Sequence, residues 1–318
     1  MFILRFDFRL GPQSSATMGE LYNASLEMCE WGEQHGAAMA MFSEHHASSD
    51  GYLPSPMHLA AAAAARTDSL SISVGALLTL MYDPVKLAED MAVLDHLSNG
   101  RIAYTMGLGY RPVEYEMFGV DQARRGALMD EHLGVLRRAL SGETFDWHGR
   151  QITVRPEPLT PGGPMIAYGG GSLAAARRAG RLGMMLLPQS SDPALAQAYD
   201  EAAIEAGNPP GMCLSPPEGS PTTVFVHPDP DAGWNEIGEH LLHDAVMYAQ
   251  WLGDSASASV SSATSVDELR SEQGAYRIVT IEDARELRDQ FGMLSLQPLC
   301  GGIDAATAWT YLERLGEL

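Results

Sequence analysis

Along the 318 residues, short apolar runs alternate with longer amphipathic segments, and the alternation repeats eight times. Short apolar runs bounded by turn residues read as buried strands, and stretches with one apolar face read as helices. The strands fall at about 2–8, 37–42, 70–76, 101–106, 165–168, 184–187, 223–226 and 293–296. The helices between them fall at about 17–35, 55–66, 84–98, 121–141, 172–180, 192–207, 233–252 and 280–292, and Asp304 caps a last one. Several starts carry their own signal. Thr17 and Glu20 have capping-box spacing, and Asp83-Pro84 and Asp192-Pro193 read as N-cap and first helical residue. Crossovers of this length join parallel strands. Eight of them predict an α/β fold, a (β/α)8 TIM barrel, rather than a doubly wound sheet. No Gly-x-Gly-x-x-Gly follows the first strand, which weakens the dinucleotide-binding alternative. The whole of residues 1–318 is expected to form one barrel domain.

One segment departs from the rhythm. Residues 254–275 are rich in serine, alanine and threonine and poor in large apolar side chains. Such a stretch is expected to be a flexible loop near the catalytic face, either a tolerated surface insertion or a cover that orders over ligand.

Charge narrows the partners. Lys and Arg total 20 against 41 Asp and Glu, a formal net charge of -21. A surface this acidic repels phosphate backbones and anionic lipids, so neither nucleic acid nor membrane is an expected partner. No apolar run approaches the ~20 residues of a membrane span. Cys29, Cys213 and Cys300 are far apart, with neither metal-ligand nor disulfide spacing. No metal is expected, and a reducing cytoplasm is the simplest setting.

Barrel enzymes keep their chemistry at the carboxyl ends of the strands. Three features share that address: Ser43-Glu44-His45-His46, Met106-Gly107-Leu108-Gly109-Tyr110, and Gly169-Gly170-Gly171-Ser172. The last follows a strand and opens a helix. Glycines admit an anion to backbone N–H groups, and the helix N-terminus adds partial positive charge, although a triple glycine also suits a plain tight turn. An imidazole titrating near neutrality suits proton transfer at His45. If the strand continues, Glu44 and His46 point to the opposite side, where Glu44 would fix backbone or an arginine. His58 and His96 lie on predicted helices and read as packing or capping residues. Arg101 and Asp95 are expected to tie the third helix to the fourth strand. Met39, Met41, Met184 and Met185 read as core.

These motifs, with Asp83-Pro84-Val85-Lys86-Leu87-Ala88-Glu89-Asp90, Leu94-Asp95-His96-Leu97-Ser98-Asn99-Gly100-Arg101 and Glu116-Met117-Phe118-Gly119-Val120-Asp121, give the chain an end-to-end resemblance to the bacterial luciferase-like family of flavin-dependent barrels. The resemblance implies a reduced flavin across the carboxyl ends of the strands. It implies a non-proline cis peptide at Gly75–Ala76 beneath the ring. It also implies cofactor contacts from Gly75, Ala76, Thr105, Gly107, Gly109, Tyr110, Gly169, Gly170, Gly171 and Ser172. His45 matches the histidine that the luciferases use in oxygen chemistry, and with Glu44 it forms the expected catalytic pair. The family often has an arginine for the phosphate shortly after the fourth strand. Leu108 and Tyr110 occupy that region here, so Arg125 or Arg111 is expected to substitute. Gly107 stands where luciferase has its reactive cysteine, so no thiol role carries over.

The implied activity is an oxidoreductase: an FMN-dependent monooxygenase that oxygenates a small organic substrate with O2, its reduced FMN arriving from a separate flavin reductase. One alternative is a dehydrogenase or reductase using the deazaflavin coenzyme F420. Another is a non-catalytic flavin-binding partner subunit. The family also implies a homodimer paired through the second and third helices. A metal-dependent hydrolase would want two histidines at alternate strand positions; His45 and His46 are adjacent, and no His-x-His occurs.

Overall fold

Phe2–Phe6 forms β1, whose alternation sends Phe2, Leu4 and Phe6 inward. The computed structural model describes residues 1–252 and 261–317. Thr17 and Glu20 exchange the two bonds of a capping box at the start of α1 (Met18–Gln34), and Gly36 leaves that helix with φ of 83°. There follow β2 (Ala37–Phe42), α2 (Pro56–Arg66), β3 (Ser71–Leu78), α3 (Pro84–Leu97) and β4 (Ile102–Gly107). Asp83 caps α3 by accepting from the Val85 and Lys86 N–H groups. Next come α4 (Pro112–Phe118), α5 (Arg125–Leu140), and an antiparallel hairpin of β5 (Phe145–Trp147) and β6 (Arg150–Ile152). The chain continues through β7 (Met165–Gly169), α6 (Leu173–Leu182), β8 (Leu186–Leu187) and α7 (Pro193–Glu205). It ends with β9 (Thr223–Val226), α8 (Pro230–Leu252), α9 (Val266–Ser271), β10 (Tyr276–Val279), α10 (Ile281–Phe291), β11 (Leu294–Leu296) and α11 (Ala305–Glu313).

Seven strands make one parallel sheet in the order β11-β1-β2-β3-β4-β7-β8, the curled wall of a TIM-barrel-like α/β fold. The expected seventh strand, β9, forms where its sequence places it, but its ladder partner is β10. Side chains bring β9 to the sheet instead. Arg5 Nη1 and Ser295 Oγ both donate to the Thr222 carbonyl, at 2.9 and 2.7 Å, and Thr223 Oγ1 donates to Gln297 at 3.1 Å. The physical reason lies just upstream. Leu186 N–H donates to the Met212 carbonyl and the Leu186 carbonyl accepts from the Leu214 N–H, both at 2.9 Å, so the free edge of β8 is taken by the segment that precedes β9. The sixth strand is correspondingly two residues long rather than four.

The core gathers inside the wall and under the helices. Phe6 and Phe42 stack at 5.5 Å, and Tyr104 and Tyr168 are fully buried. Of the four methionines read as core, only Met184 is buried; Met39, Met41 and Met185 are partly open. Arg101 does not join α3 to β4. It donates to the carbonyls of Ala64, Thr67 and Leu70 and to Thr67 Oγ1, closing the end of α2. Asp95 reaches the Thr160 N–H and hydroxyl, at 2.6 and 3.0 Å. The segment 254–275 divides in two. Residues 254–260 lie outside the described residues. Beyond them Ser265 caps α9, Leu269 is buried, and Ser261 Oγ donates to Glu272 at 2.6 Å. Among the described residues, no helix is long and apolar enough to cross a membrane.

Candidate active site

After Phe42 the chain leaves β2 and is sewn to the end of β1. Ser43 N–H donates to the Phe6 carbonyl, Leu53 N–H to that of Asp7, and His45 N–H to that of Leu53. This loop carries Glu44, His45 and His46 inside the molecule, at 2 %, 7 % and 7 % exposure. Polar groups that deep need partners. Two separate networks supply them.

His45 Nδ1 lies 2.8 Å from Glu114 Oε1, and His45 Nε2 lies 3.0 Å from the Tyr110 hydroxyl. Glu114 is fully buried on α4 and also accepts from the His46 N–H at 3.0 Å. Burial pushes the His45 pKa below its usual value against the pull of Glu114, and the Arg9 and Arg111 cations push the same way as burial. Burial raises Glu114, but its bonds to His45 and His46 and the nearby Arg111 outweigh that and hold it below the usual carboxylate range. Burial, with Tyr248 and Glu114 nearby, keeps the Tyr110 phenol protonated far into base. The three directions agree on one arrangement. Neutral His45 donates Nδ1–H to ionised Glu114, and its Nε2 accepts from Tyr110.

Glu44 serves the other network. Oε2 accepts from the Leu78 N–H at 2.7 Å, while Oε1 accepts from the Tyr82 hydroxyl at 2.6 Å and lies 3.0 Å from His46 Nε2. It ties the end of β3 to the end of β2 and has no bond to His45 among the described residues.

The His45 ring is boxed by aromatic neighbours. Tyr52, Tyr110 and Trp251 stand edge-to-face to it at 5.0, 5.2 and 4.8 Å. The Arg9 and Arg111 guanidinium groups pack on the Trp251 ring at 4.1 and 4.0 Å.

Beside this box lies a glycine-rich cradle. The Gly75–Ala76 peptide is cis, as the resemblance implies, and Ser43 Oγ donates to the Gly75 carbonyl at 2.9 Å. A methyl group on Gly169 would stand 2.9 Å from Thr105 Cγ2, and one on Gly107 3.0 Å from Ala76 Cβ. Gly75, Ala76, Thr105, Gly107 and Gly169 therefore lie together at the ends of β3, β4 and β7, packed too closely for a further methyl at Gly107 or Gly169. Gly109 adopts φ of 78°, and its carbonyl accepts from Tyr115 Oη at 3.3 Å. At the cradle's far end Ser172 caps α6, its hydroxyl accepting from the Ala175 N–H, while a methyl on Gly170 would meet Ala175 Cβ at 2.7 Å. Gly171 and Ser172 are exposed.

The arginines sort themselves. Arg125 opens α5, is exposed, and donates to the Gln122 carbonyl. Arg111 is spent near His45, on the His46 carbonyl and 3.5 Å from Glu114. Arg178 went unnoticed in the sequence; it reaches Tyr168 Oη at 3.5 Å and pairs with Asp130 at 2.8 Å. Also unforeseen were Glu114, Arg9, Tyr52, Tyr82 and Trp251. For Glu114 a local signal exists: Pro112 marks a helix start, and a helix there places Glu114 one turn from Arg111. Among the described residues, no group of three or more His, Cys, Asp or Glu side chains is placed to hold a metal ion.

Comparison with known proteins supplies context. The chain is 32% identical over 169 residues to limonene 1,2-monooxygenase of Rhodococcus erythropolis, covering 48% of this chain and 44% of that one. It is 27% identical over 156 residues to the oxygenase component of the flavin-dependent trigonelline monooxygenase of Acinetobacter baylyi, covering 47% and 43%. The chain thus spans about half the length of the curated relatives it matches. Among solved structures, monooxygenase RslO1 from Streptomyces bottropensis superposes with a TM-score of 0.77 at 22% identity, over 100% of this chain and 98% of that one. The oxygenating constituent of 3,6-diketocamphane monooxygenase from Pseudomonas putida, in complex with FMN, gives 0.68 at 19%, over 98% and 97%. An F420-dependent secondary alcohol dehydrogenase gives 0.67 at 15%, over 99% and 97%. At these identities the structures speak for the fold. The model of one family, described as luciferase-like monooxygenase, matches residues 2–290, a range that takes in every strand of the wall but β11 together with both histidine networks and the cradle. The chain belongs to the luciferase-like monooxygenase family.

Proposed function

We propose that this protein is the oxygenating component of a two-component flavin-dependent monooxygenase, using reduced FMN from a separate reductase and O2 to oxygenate a small organic molecule. One oxygen atom enters the substrate, and the other leaves as water with the two hydrogens of the reduced flavin. The observation that carries the reading is the His45 imidazole held between Glu114 and Tyr110 beside the glycine-rich ends of β3, β4 and β7. The relative named as an oxygenase component and the fold neighbour in complex with FMN support the flavin and the separate reductase.

The residues present fit such a cofactor. Gly75, Ala76, Thr105, Gly107 and Gly169 bring the ends of β3, β4 and β7 together without a bulky side chain. Gly109 and Tyr110 continue from the end of β4 toward His45. Gly170, Gly171 and Ser172 end at the start of α6, where backbone N–H groups and the helix dipole favour phosphate, with exposed Arg125 as the candidate cation. Reduced flavin, when bound, supplies the electrons that activate O2. The chain's own part is protonic and steric. His45 Nε2 would take up a proton passed through the Tyr110 hydroxyl and return it by the same route to the oxygen that leaves as water, and Glu114 balances the imidazolium in between. Glu44 acts one step back, as a positioning residue that fixes the ends of β2 and β3. Tyr52 and Trp251 limit water around the imidazole.

The test is an anaerobic titration of the purified protein with reduced FMN and, separately, with reduced F420, followed by admission of oxygen. Preference for FMN with oxygen uptake is expected. Preference for F420 with hydride transfer and no oxygen uptake would replace this reading with the dehydrogenase one.

A further inference from the structure

Arg9 is fully buried beyond the end of β1. A buried guanidinium is costly unless charge and hydrogen bonds meet it. Here Asp50 Oδ2 lies 2.7 Å from Nη1, Asp244 Oδ1 2.7 Å from Nε, and Asp7 3.7 Å away. Three rings complete the enclosure: Tyr52 and Tyr248 at 4.7 Å and Trp251 at 4.1 Å. Asp244, Tyr248 and Trp251 recur at i, i+4 and i+7 on α8, so one stripe of that helix faces Arg9. The arginine thereby joins the end of β1, the loop after β2 and the last turns of α8.

The consequence falls on His45. Trp251 stands 4.8 Å from the imidazole and is packed by Arg9 and by Arg111. Tyr52, on another side of the imidazole, is pinned by its hydroxyl to Tyr248 Oη at 3.0 Å. Of the three rings around His45, Trp251 alone comes from α8, the element that Arg9 anchors. Around the imidazole two cations, Arg9 and Arg111, face three carboxylates, Asp50, Asp244 and Glu114, so negative charge is in excess. A ligand bringing negative charge would add to a buried excess of the same sign.

We propose that Trp251 is the specificity-determining residue of this site, setting the size of the molecule that reaches His45 and restricting it to largely apolar compounds without negative charge, and that Arg9 is the positioning residue that holds it there. The inference rests on the flavin reading for the choice of His45 as the reacting residue, and its test uses flavin-free protein. The probes are N-phenyl-1-naphthylamine and 1-anilinonaphthalene-8-sulfonate, nearly the same ring system without and with a charge, followed by fluorescence. The neutral probe should bind Trp251→Ala about ten-fold tighter than wild type, and the sulfonate should bind both about ten-fold more weakly than the neutral probe does, the scale at which pockets discriminate by size and by polarity. Trp251→Phe should stay close to wild type. Arg9→Lys keeps the charge but loses the flat stack. It should bind the neutral probe between wild type and Trp251→Ala, and the Trp251 emission, isolated by subtracting the Trp251→Phe spectrum in each background, should shift to the red. Equal binding by wild type and Trp251→Ala, sulfonate binding as tight as the neutral probe, no binding of either, or an unmoved Trp251 emission in Arg9→Lys would each overturn the proposal. Reduced FMN titrated into the same preparations separates the two ideas. Loss of FMN binding with the probe pattern intact removes the flavin reading and leaves the wall.

Discussion

His45 and His46 are neighbours in sequence, equally buried, and each within 3.0 Å of a glutamate, yet their surroundings differ. Around His45 both ring nitrogens are committed to groups from the β4–α4 segment, and aromatic edges surround the ring. Around His46 the partner is Glu44, two residues away, whose other bonds go to Leu78 and Tyr82, and the ring packs on Phe118 at 4.6 Å. One network joins an imidazole through both ring nitrogens to the β4–α4 segment. The other runs from Glu44 to Leu78 and Tyr82 and secures strand ends. Burial alone thus says little about role; the direction in which a network leads says more.

Substitution should break this contrast open. The largest effect is expected from His45→Ala, which should lower substrate oxidation by about 10²–10⁴-fold, the usual contribution of a general acid–base, while FMN affinity measured by titration stays close to wild type. Similar activity in the variant would remove His45 from the chemistry. Glu114→Gln should cost roughly ten-fold in turnover, the scale of one charge-assisted hydrogen bond. It also removes the group that raises the His45 pKa, so the acid limb of the pH–rate profile should move to lower pH. Tyr110→Phe should cost about five-fold, the scale of a neutral hydrogen bond. Stability sharpens the contrast further. The folded pKa of His45 lies below its unfolded value of about 6.5. As pH falls, the unfolded chain binds the proton first. The stability tied to neutral His45 is therefore complete above pH ~6.5 and is lost below it, by at most ~1.4 kcal/mol per pH unit. Urea midpoints of wild type and His45→Gln between neutral and mildly acid pH should diverge accordingly. Smallest in catalysis is Glu44→Gln. It should lower stability by about 1–3 kcal/mol, as expected for a disturbed buried hydrogen-bonding group, and leave the acid limb of the pH–rate profile in place.

How far the sequence carried this picture depends on the range of each interaction. The capping box of Thr17 and Glu20, the Asp83-Pro84 start and the apolar run Thr223–Val226 are local, and each element formed where expected. The partner of β9 was not legible, because pairing depends on which segment takes the free edge of β8. The β5–β6 hairpin and α4 were too short for periodicity to announce. At the site, Glu44, His45 and the glycines were visible because their residue types cluster at strand ends. Glu114 lies 69 positions from His45, and Trp251 lies farther still from Arg9. Nothing in a linear reading brings such pairs together; the order of strands in the curled sheet and the helices packed on it do. Arg111 shows the converse. Its position suited a phosphate ligand, but a buried carboxylate nearby claimed it first.

The gap between β8 and β9 leaves the wall with a seam. The long ladder stops at β8, whose Leu186 also bonds Met212 and Leu214, and the short one begins at Thr223 with no shared backbone bonds between β8 and β9. Solvent exchange of amide hydrogens on the two sides then has no reason to proceed in concert. A nick in the proline-rich stretch 215–221, beyond the bonds of Met212 and Leu214 to Leu186, would cut the chain where little backbone pairing crosses, so two fragments could remain associated as one molecule.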